Sequence, residues 1–344
     1  EAYRLELEKR LGPAREIMRV VITKAQNDPK RIVFPEGQED KILRASQILI
    51  DDGIARPILL GKTDLIRSRI EELDLDLGDI RIINPRKSDK REAYIKELYN
   101  LRRRKGIIRS DAEQLIKNHN TYGSMMVRLG DADGLISGLT QHYPDTIRPA
   151  LQIIEIRKGL KKVSGLYMLV FRSGVYFFAD TTVNINPSAE DLAEIALCAA
   201  ETAREFDVKP RVAMLSYSNF GSVRHDTSAK VQEAVEMIRK KDPSLPVDGE
   251  MQADTAVVPQ IAEEVFPFSV IKGDANVLIF PDLASGNISY KLMMRLGGAE
   301  AIGPILMGMS RPVHVLQRGS DVDEIVNMAA ICVVDAQKTM KRRS

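Results

Sequence analysis

Arginines supply most of the chemistry that this chain advertises. In VLQRGSDVDEIVN, residues 315–327, Arg318 stands on a glycine turn one residue after Gln317 and just ahead of a helical pattern that opens with Asp321, Asp323 and Glu324. Arg148 precedes a proline in DTIRPALQ, and LRRRKG, residues 101–106, places Arg102, Arg103 and Arg104 at the end of a helix. Positive charge at a helix C-terminus also serves as a plain solvated cap. Were the three sites to converge, they would suit a polyphosphate or an acyl phosphate, because the planar guanidinium fork binds such oxygens in pairs. Two small-residue loops follow apolar strands: SYSNFGS, residues 216–222, and PDLASGN, residues 281–287. Their backbone amides could hold a phosphate or a pantetheine amide, or the serines could simply cap helices. DGEMQAD, residues 248–254, reads either as acidic residues opening a helix or as Asp248, Glu250 and Asp254 lining a cleft. Gly61-Lys62-Thr63 lacks the glycine a phosphate-binding P-loop needs five positions earlier, where Arg56 stands, and no GxGxxG follows a strand. His119, His142, His225 and His314 show no paired metal-ligand spacing, so no metal is expected on this chain.

The elements that must position these residues alternate. RIVFPEG, RPILLG, DIRIIN and ADGLISG read as strands, separated by helical stretches over 39–52, 63–74, 88–105 and 110–129, with a further helix near 146–157. Such alternation predicts a mostly parallel sheet flanked by helices. KVSGLYMLVFRSGVYFFADTTVN then gives two long strand runs around Arg172-Ser173-Gly174, a hairpin signal opening a second α/β unit. That unit continues with helix 188–206, strand RVAMLSYS, helix 226–241 and strand NVLIFPD. AIGPILMG, PVHVLQ and helix 321–341 share the vocabulary of the first part, which predicts that the tail returns there. The expected organisation is lead-in helices over 1–30, a first domain from 31–158 and 302–344, and an inserted α/β domain over 159–301. Ligands of open parallel sheets gather at the carboxyl ends of strands. The loops to watch are therefore those at 35–37, 137–139, 216–222, 281–287 and 316–320.

At 344 residues the chain can bury two cores. Its 50 lysines and arginines nearly cancel 48 aspartates and glutamates, which removes any case for nonspecific binding to nucleic acid or membrane. Cys198 and Cys332 sit in apolar helical patterns, as buried thiols of a reducing, cytoplasmic setting would. EAYRLELEKRLG starts without methionine inside a helical pattern and reads as the beginning of a fragment whose upstream part is a separate domain.

MVRLGDADGLISG, DTIRPALQIIEIRKG, DGEMQADTAV and the ordered series PDLASGNISYK, RLGGAEAIGPIL and QRG resemble the phosphate acetyltransferase (phosphotransacetylase) family from about Arg15 to the end. The resemblance implies two α/β domains around a cleft, related to the isocitrate and isopropylmalate dehydrogenase folds, and a dimer. It implies exchange of acetyl between acetyl phosphate and coenzyme A. A carboxylate near the end of the chain takes the thiol proton, a serine beside the RG arginine bonds the reacting groups, and arginines hold phosphate oxygens. Carried over motif by motif, Arg102, Arg148 and Arg318 would bind phosphate or the acyl end. Ser137, Gly138, Ser218, Asn287, Tyr290 and Lys291 would line the ligand site.

This chain departs from the pattern at the reacting centre. Where the family reads LSRGCSVEDIV, it reads LQRGSDVDEIV, so Gln317 replaces the serine and Glu324 the catalytic aspartate. Misplacing a general base commonly costs a factor of ~10²–10⁴ in rate, so little turnover is expected while binding survives. The glutamine, the SYSNFGS loop, GLTQHYPDTIRPALQ and the lead-in RLGPAREIMR are similar to one branch, the C-terminal domain of hybrid NADP-dependent malic enzymes. That likeness implies a catalytically degenerate domain that binds acetyl-CoA as an effector, an inhibitor by analogy. It would regulate a malic enzyme domain of the same polypeptide, which would carry NADP and Mg or Mn, in a homodimer or a hexamer. An active phosphate acetyltransferase using Glu324, and a scaffold that binds no ligand, are the alternatives.

Overall fold

The structure is a computed structural model that describes residues 13–341. The expected lead-in helices over 1–30 are described only from Pro13, where α1 (Pro13–Asn27) begins; residues 1–12 lie outside the described residues. Cα packing separates two compact units among the described residues, 159–308 together with 13–17, called the continuous unit below for its main span, and 18–158 with 309–341, the discontinuous unit.

The discontinuous unit is built on a five-stranded sheet, all parallel, in the order β11-β4-β1-β2-β3. Its strands are β1 (Lys30–Phe34), β2 (Ala55–Leu60), β3 (Arg81–Ile83), β4 (Gly134–Ser137) and β11 (Val313–Val315). The alternating strand and helix signals folded as parallel sheets require, with α2 (Asp40–Asp51) and α3 (Thr63–Glu72) as crossovers. The stretch predicted as one helix over 110–129 is two, α5 (Arg109–Leu115) and α6 (His119–Leu129). Asn118 breaks it, accepting the Thr121 N–H as the N-cap of the second helix. The region 88–105 is α4 (Arg91–Arg102) followed by a 3-10 turn, and α7 (Tyr143–Ile153) precedes the return of the chain through β11 into α13 (Val322–Lys341). Helices α2 and α13 pack together over the sheet, burying Ile42, Leu49, Ile325 and Ala329.

The continuous unit holds a six-stranded mixed sheet in the order β10-β5-β6-β9-β7-β8. The hairpin read around Arg172-Ser173-Gly174 is present, as β5 (Ser164–Phe171) antiparallel to β6 (Gly174–Ala179). Parallel strands β9 (Val277–Ile279), β7 (Val212–Leu215) and β8 (Val247–Met251) follow, with α8 (Ala189–Glu205), α9 (Asp226–Lys241), the short α10 (Ala253–Val257) and α11 (Pro259–Val265), and α12 (Leu283–Arg295). Two expectations need correction. AIGPILMG does not return to the first sheet: it is β10 (Glu300–Met307), the antiparallel edge partner of β5, so 302–308 group with the continuous unit. DGEMQAD does not open with a helix, because Val247, Asp248 and Glu250 belong to β8 and the helix begins only at Ala253. Asp248 and Glu250 are buried, a polar content that hid the strand from a reading based on apolar runs.

Candidate functional site

At the carboxyl ends of β1, β4 and β11, three loops meet through a carboxylate. Glu36 follows β1 in the PEG loop and is 8% exposed. Its Oε2 accepts the Gly138 N–H at 2.7 Å and the Leu139 N–H at 2.9 Å, and its Oε1 accepts the Thr140 N–H at 2.8 Å and the Thr140 hydroxyl at 2.7 Å. The Ser137 hydroxyl lies 2.8 Å from Asn120 Oδ1 and 3.1 Å from Glu36 Oε2, so its single proton is shared or goes to the asparagine. Successive amides that converge in this way form an anion nest. Here the anion is the protein's own, which corrects the expectation that Ser137 and Gly138 offer their donors to a ligand.

The organised 137–140 loop in turn holds the arginine turn. Leu316 N–H donates to Ser137 O at 2.8 Å and Gly319 N–H donates to Leu139 O at 3.1 Å. Gly138, at φ +112°, permits the approach, since a Cβ there would sit 2.8 Å from Val315 Cγ1. Gly319 takes φ +85°, the left-handed conformation that the turn after Arg318 requires. From the first turn of α2, Lys41 Nζ donates to Gly319 O at 2.9 Å and Ser320 O at 2.7 Å. Sequence reading missed both Glu36 and Lys41. A PEG loop at the end of a strand was a weak signal for the first, and nothing in the sequence links Lys41 to residues almost the whole chain away.

Gln317 and Arg318 are exposed at the tip of this turn, and Arg318 makes no hydrogen bond or ion pair with a described residue. Beyond it, α13 opens with a capping box: the Glu324 N–H donates to Asp321 Oδ1 at 2.8 Å and the Asp321 N–H donates to Glu324 Oε2 at 3.1 Å. Three carboxylates in four positions thus have one plain use, with Asp321 and Glu324 closing the helix start. Glu324 stays exposed, with Oε1 outside the box. Arg148 lies on α7, which packs against β11. It is exposed and forms only a long ion pair, 3.8 Å, with Asp145. Arg102, partly exposed at the end of α4, has a guanidinium with no hydrogen-bond partner among the described residues and no bond to the turn, while Arg103 and Arg104 face solvent.

The predicted residues of the continuous unit are largely structural. Ser218 is fully buried. Its hydroxyl donates to Glu250 Oε1 at 2.8 Å and accepts the Val223 N–H at 3.1 Å, so a second internal carboxylate organises the SYSNFGS loop. Gly221 N–H donates to the same oxygen at 2.8 Å. Tyr290 is a core residue stacked on Tyr167, with centroids 4.1 Å apart, because it falls on the inward side of α12. Lys291 is exposed above that ring, and the Asn287 amide donates to Thr181 O at 3.0 Å. Of this set, Lys291 alone is exposed, and Asn287 is half-buried.

Electrostatics on the opposite edge of the first sheet are dominated by Arg31 and Asp133, joined at 2.7 Å. Burial pushes the Asp133 carboxyl up, but the Arg31 hydrogen bonds outweigh it and hold the group below the usual carboxylate range. The Cys332 thiol, packed in α13 behind β4, is pushed up by burial.

Two α/β units, one on an all-parallel sheet whose carboxyl ends carry an arginine turn and one on a mixed sheet, define the general class, an α/β fold. A family model for phosphate acetyl/butaryl transferase matches residues 16–333, and the chain belongs to that family. It is 42% identical to the phosphate acetyltransferase of Bacillus subtilis, over 93% of this chain and 99% of that protein. It is 40% identical to the NADP-dependent malic enzyme of Salmonella typhimurium, over 94% of this chain but 43% of that protein. The crystal structure of a phosphotransacetylase from Streptococcus pyogenes superposes with a TM-score of 0.92 at 39% identity, covering 94% of this chain and 99% of the other.

Proposed function

We propose that this chain binds acetyl-CoA and phosphate, or coenzyme A and acetyl phosphate, and passes the acetyl group between them. The observation that carries the reading is the end-to-end likeness to a phosphate acetyltransferase, which leaves no part of that relative unmatched beyond 1% of its length. Arg318, exposed and without a counter-ion among the described residues, would grip phosphate oxygens, aided by Arg102 and Arg148. Glu324 would take the thiol proton through Oε1, the oxygen outside the capping box. The thiolate would then attack the acetyl carbonyl, and the carbon–oxygen bond to phosphate would break with its electron pair leaving on phosphate. Gln317 places an amide where the family has a hydroxyl, and Glu324 extends the base by one methylene, so turnover is slow. The test is CoA-dependent consumption of acetyl phosphate. The chain is expected to turn over, Gln317→Ser with Glu324→Asp to raise the rate, and Arg318→Ala to abolish it. No turnover by either the chain or the double variant would reject the reading.

Gln317 and Glu324 also favour a second reading, supported by the likeness to malic enzymes of which this chain spans under half. In it the site binds acetyl-CoA without transferring acetyl and acts as an effector-binding domain of a cytoplasmic homo-oligomer. A malic enzyme domain on the same polypeptide would hold NADP and the divalent metal. Regulation of this kind needs a coupling of ~1–3 kcal/mol between the two sites. Malate oxidation by the longer polypeptide, with and without acetyl-CoA, decides it: an effect lost in Arg318→Ala supports the reading, and indifference to acetyl-CoA ends it.

A further inference from the structure

The amino ends of β1, β2 and β3, at the opposite edge of the sheet from the arginine turn, carry a second concentration of positive charge. In the parallel register Arg31 is the direct partner of Arg56, and Arg81 the partner of Ile58, so side-chain alternation sets Arg31, Arg56 and Arg81 on one face across three adjacent strands. Like charges placed side by side on a sheet are unfavourable unless something neutralises them. Arg31 is neutralised, since its guanidinium holds Asp133 in two hydrogen bonds and also donates to Gly130 O. Arg56 and Arg81 are not: both are exposed, and neither guanidinium makes a hydrogen bond or an ion pair with a described residue. Arg81 feels the charge of Asp131, but that carboxylate is already occupied by Lys90 and the Tyr94 hydroxyl.

Both arginines line a cavity of about 490 Å³, within the range of small-molecule sites. Its wall is apolar, formed by Ile50, Pro57, Ile58, Leu77 and Ile80, and Asp79 is the single carboxylate in the lining. Two guanidiniums without counter-ions beside an apolar wall match a ligand with an anionic head and an apolar body. We propose that this cavity binds an organic phosphate monoester, with Arg56 and Arg81 forking its phosphate oxygens and the apolar body lying against Ile58 and Leu77. The site is separate from the arginine turn and uses none of its residues, so it stands or falls independently of the acetyl-transfer reading.

Phenyl phosphate is a suitable probe, titrated into the full chain by calorimetry in an Arg318→Ala background, which removes binding at the turn. The expected result is saturable binding that Arg56→Gln and Arg81→Gln each weaken by about tenfold or more, as loss of a hydrogen bond to a charged group implies. Asp79→Asn tightens it by removing a repelling charge. Inorganic phosphate, lacking the apolar body, binds at least tenfold more weakly. A melting-temperature readout keeps the test independent of folding defects: Arg56→Gln does not lower the midpoint without ligand, because a like-charge contact is relieved, and phenyl phosphate no longer raises it. Absence of binding, or an affinity that neither Arg56→Gln nor Arg81→Gln changes from that of the parent chain, would overturn the proposal.

Discussion

Glu36→Gln is a near-isosteric change that tests how the arginine turn is held. The carboxylate accepts four bonds from the 138–140 stretch, two at each oxygen, with the Ser137 hydroxyl nearby. An amide can replace only one oxygen. Its cheaper orientation turns the NH2 toward Thr140, whose hydroxyl can rotate to accept while its backbone N–H loses its acceptor. The Gly138 and Leu139 N–H groups then keep an oxygen without its full charge. Thr140 is exposed, so its orphaned donor is rehydrated at a cost of about 0.5–1 kcal/mol, and the demotion of two charge-assisted bonds adds about 1, so a loss of about 1–2 kcal/mol is expected. Urea unfolding followed through the discontinuous unit reads the stability. Hydrogen exchange at the amides of Gly138, Leu139, Thr140 and Gly319 reads the local consequence, which is faster exchange at all four. Unchanged stability together with unchanged protection at these amides would refute the account of the nest and of how it fixes the turn.

Lys41→Met removes both donors to the carbonyls of Gly319 and Ser320 while keeping the alkyl stem. It should cost about 1–2 kcal/mol and weaken acetyl-CoA binding about tenfold by calorimetry, with Lys41→Arg restoring part of each. Gly138→Ala puts a Cβ 2.8 Å from Val315 Cγ1 at φ +112° and should destabilise by about 1–3 kcal/mol in thermal unfolding. The depressed folded pKa of Asp133 stabilises the protein above its unfolded value of about 3.9, and this contribution fades as pH falls through the folded value. Asp133→Asn should therefore flatten the acid limb of the stability curve. Cys198 and Cys332 are both buried, and burial raises the Cys332 thiol, so a thiol reagent should label Cys332 in the native protein only at the rate of unfolding.

Strand and helix order was legible because parallel sheets need near-continuous apolar runs, and RIVF and PILL supplied them. The helix start at Ser188 was legible, but Asp282 caps α12 inside PDLASGN, a stretch whose small residues read as a loop although Leu283–Asn287 are already helical. What stayed hidden has physical reasons. VDGEM reads as polar, yet Asp248 is satisfied inside the fold by Arg239, Ser269 and Val270 N–H, and Glu250 Oε1 accepts from Ser218 and Gly221 N–H, none of them near in sequence. AIGPILMG has the composition of either sheet, and only pairing with β5 decides between them. The arginine turn was visible in the sequence as QRG, but its supports were not, because Glu36 and Lys41 act across the chain through backbone carbonyls and amides that have no side-chain signature. The same holds for the alignment of Arg31, Arg56 and Arg81, which depends on strand register.

Calorimetric titration of acetyl-CoA into this chain and into Arg318→Ala tests the central claim most directly, that the turn after β11 is a cationic grip on the ligand. Saturable binding that weakens at least about tenfold in the variant is the expected result. Absence of heat with the unaltered chain, or equal affinity in both proteins, would contradict it.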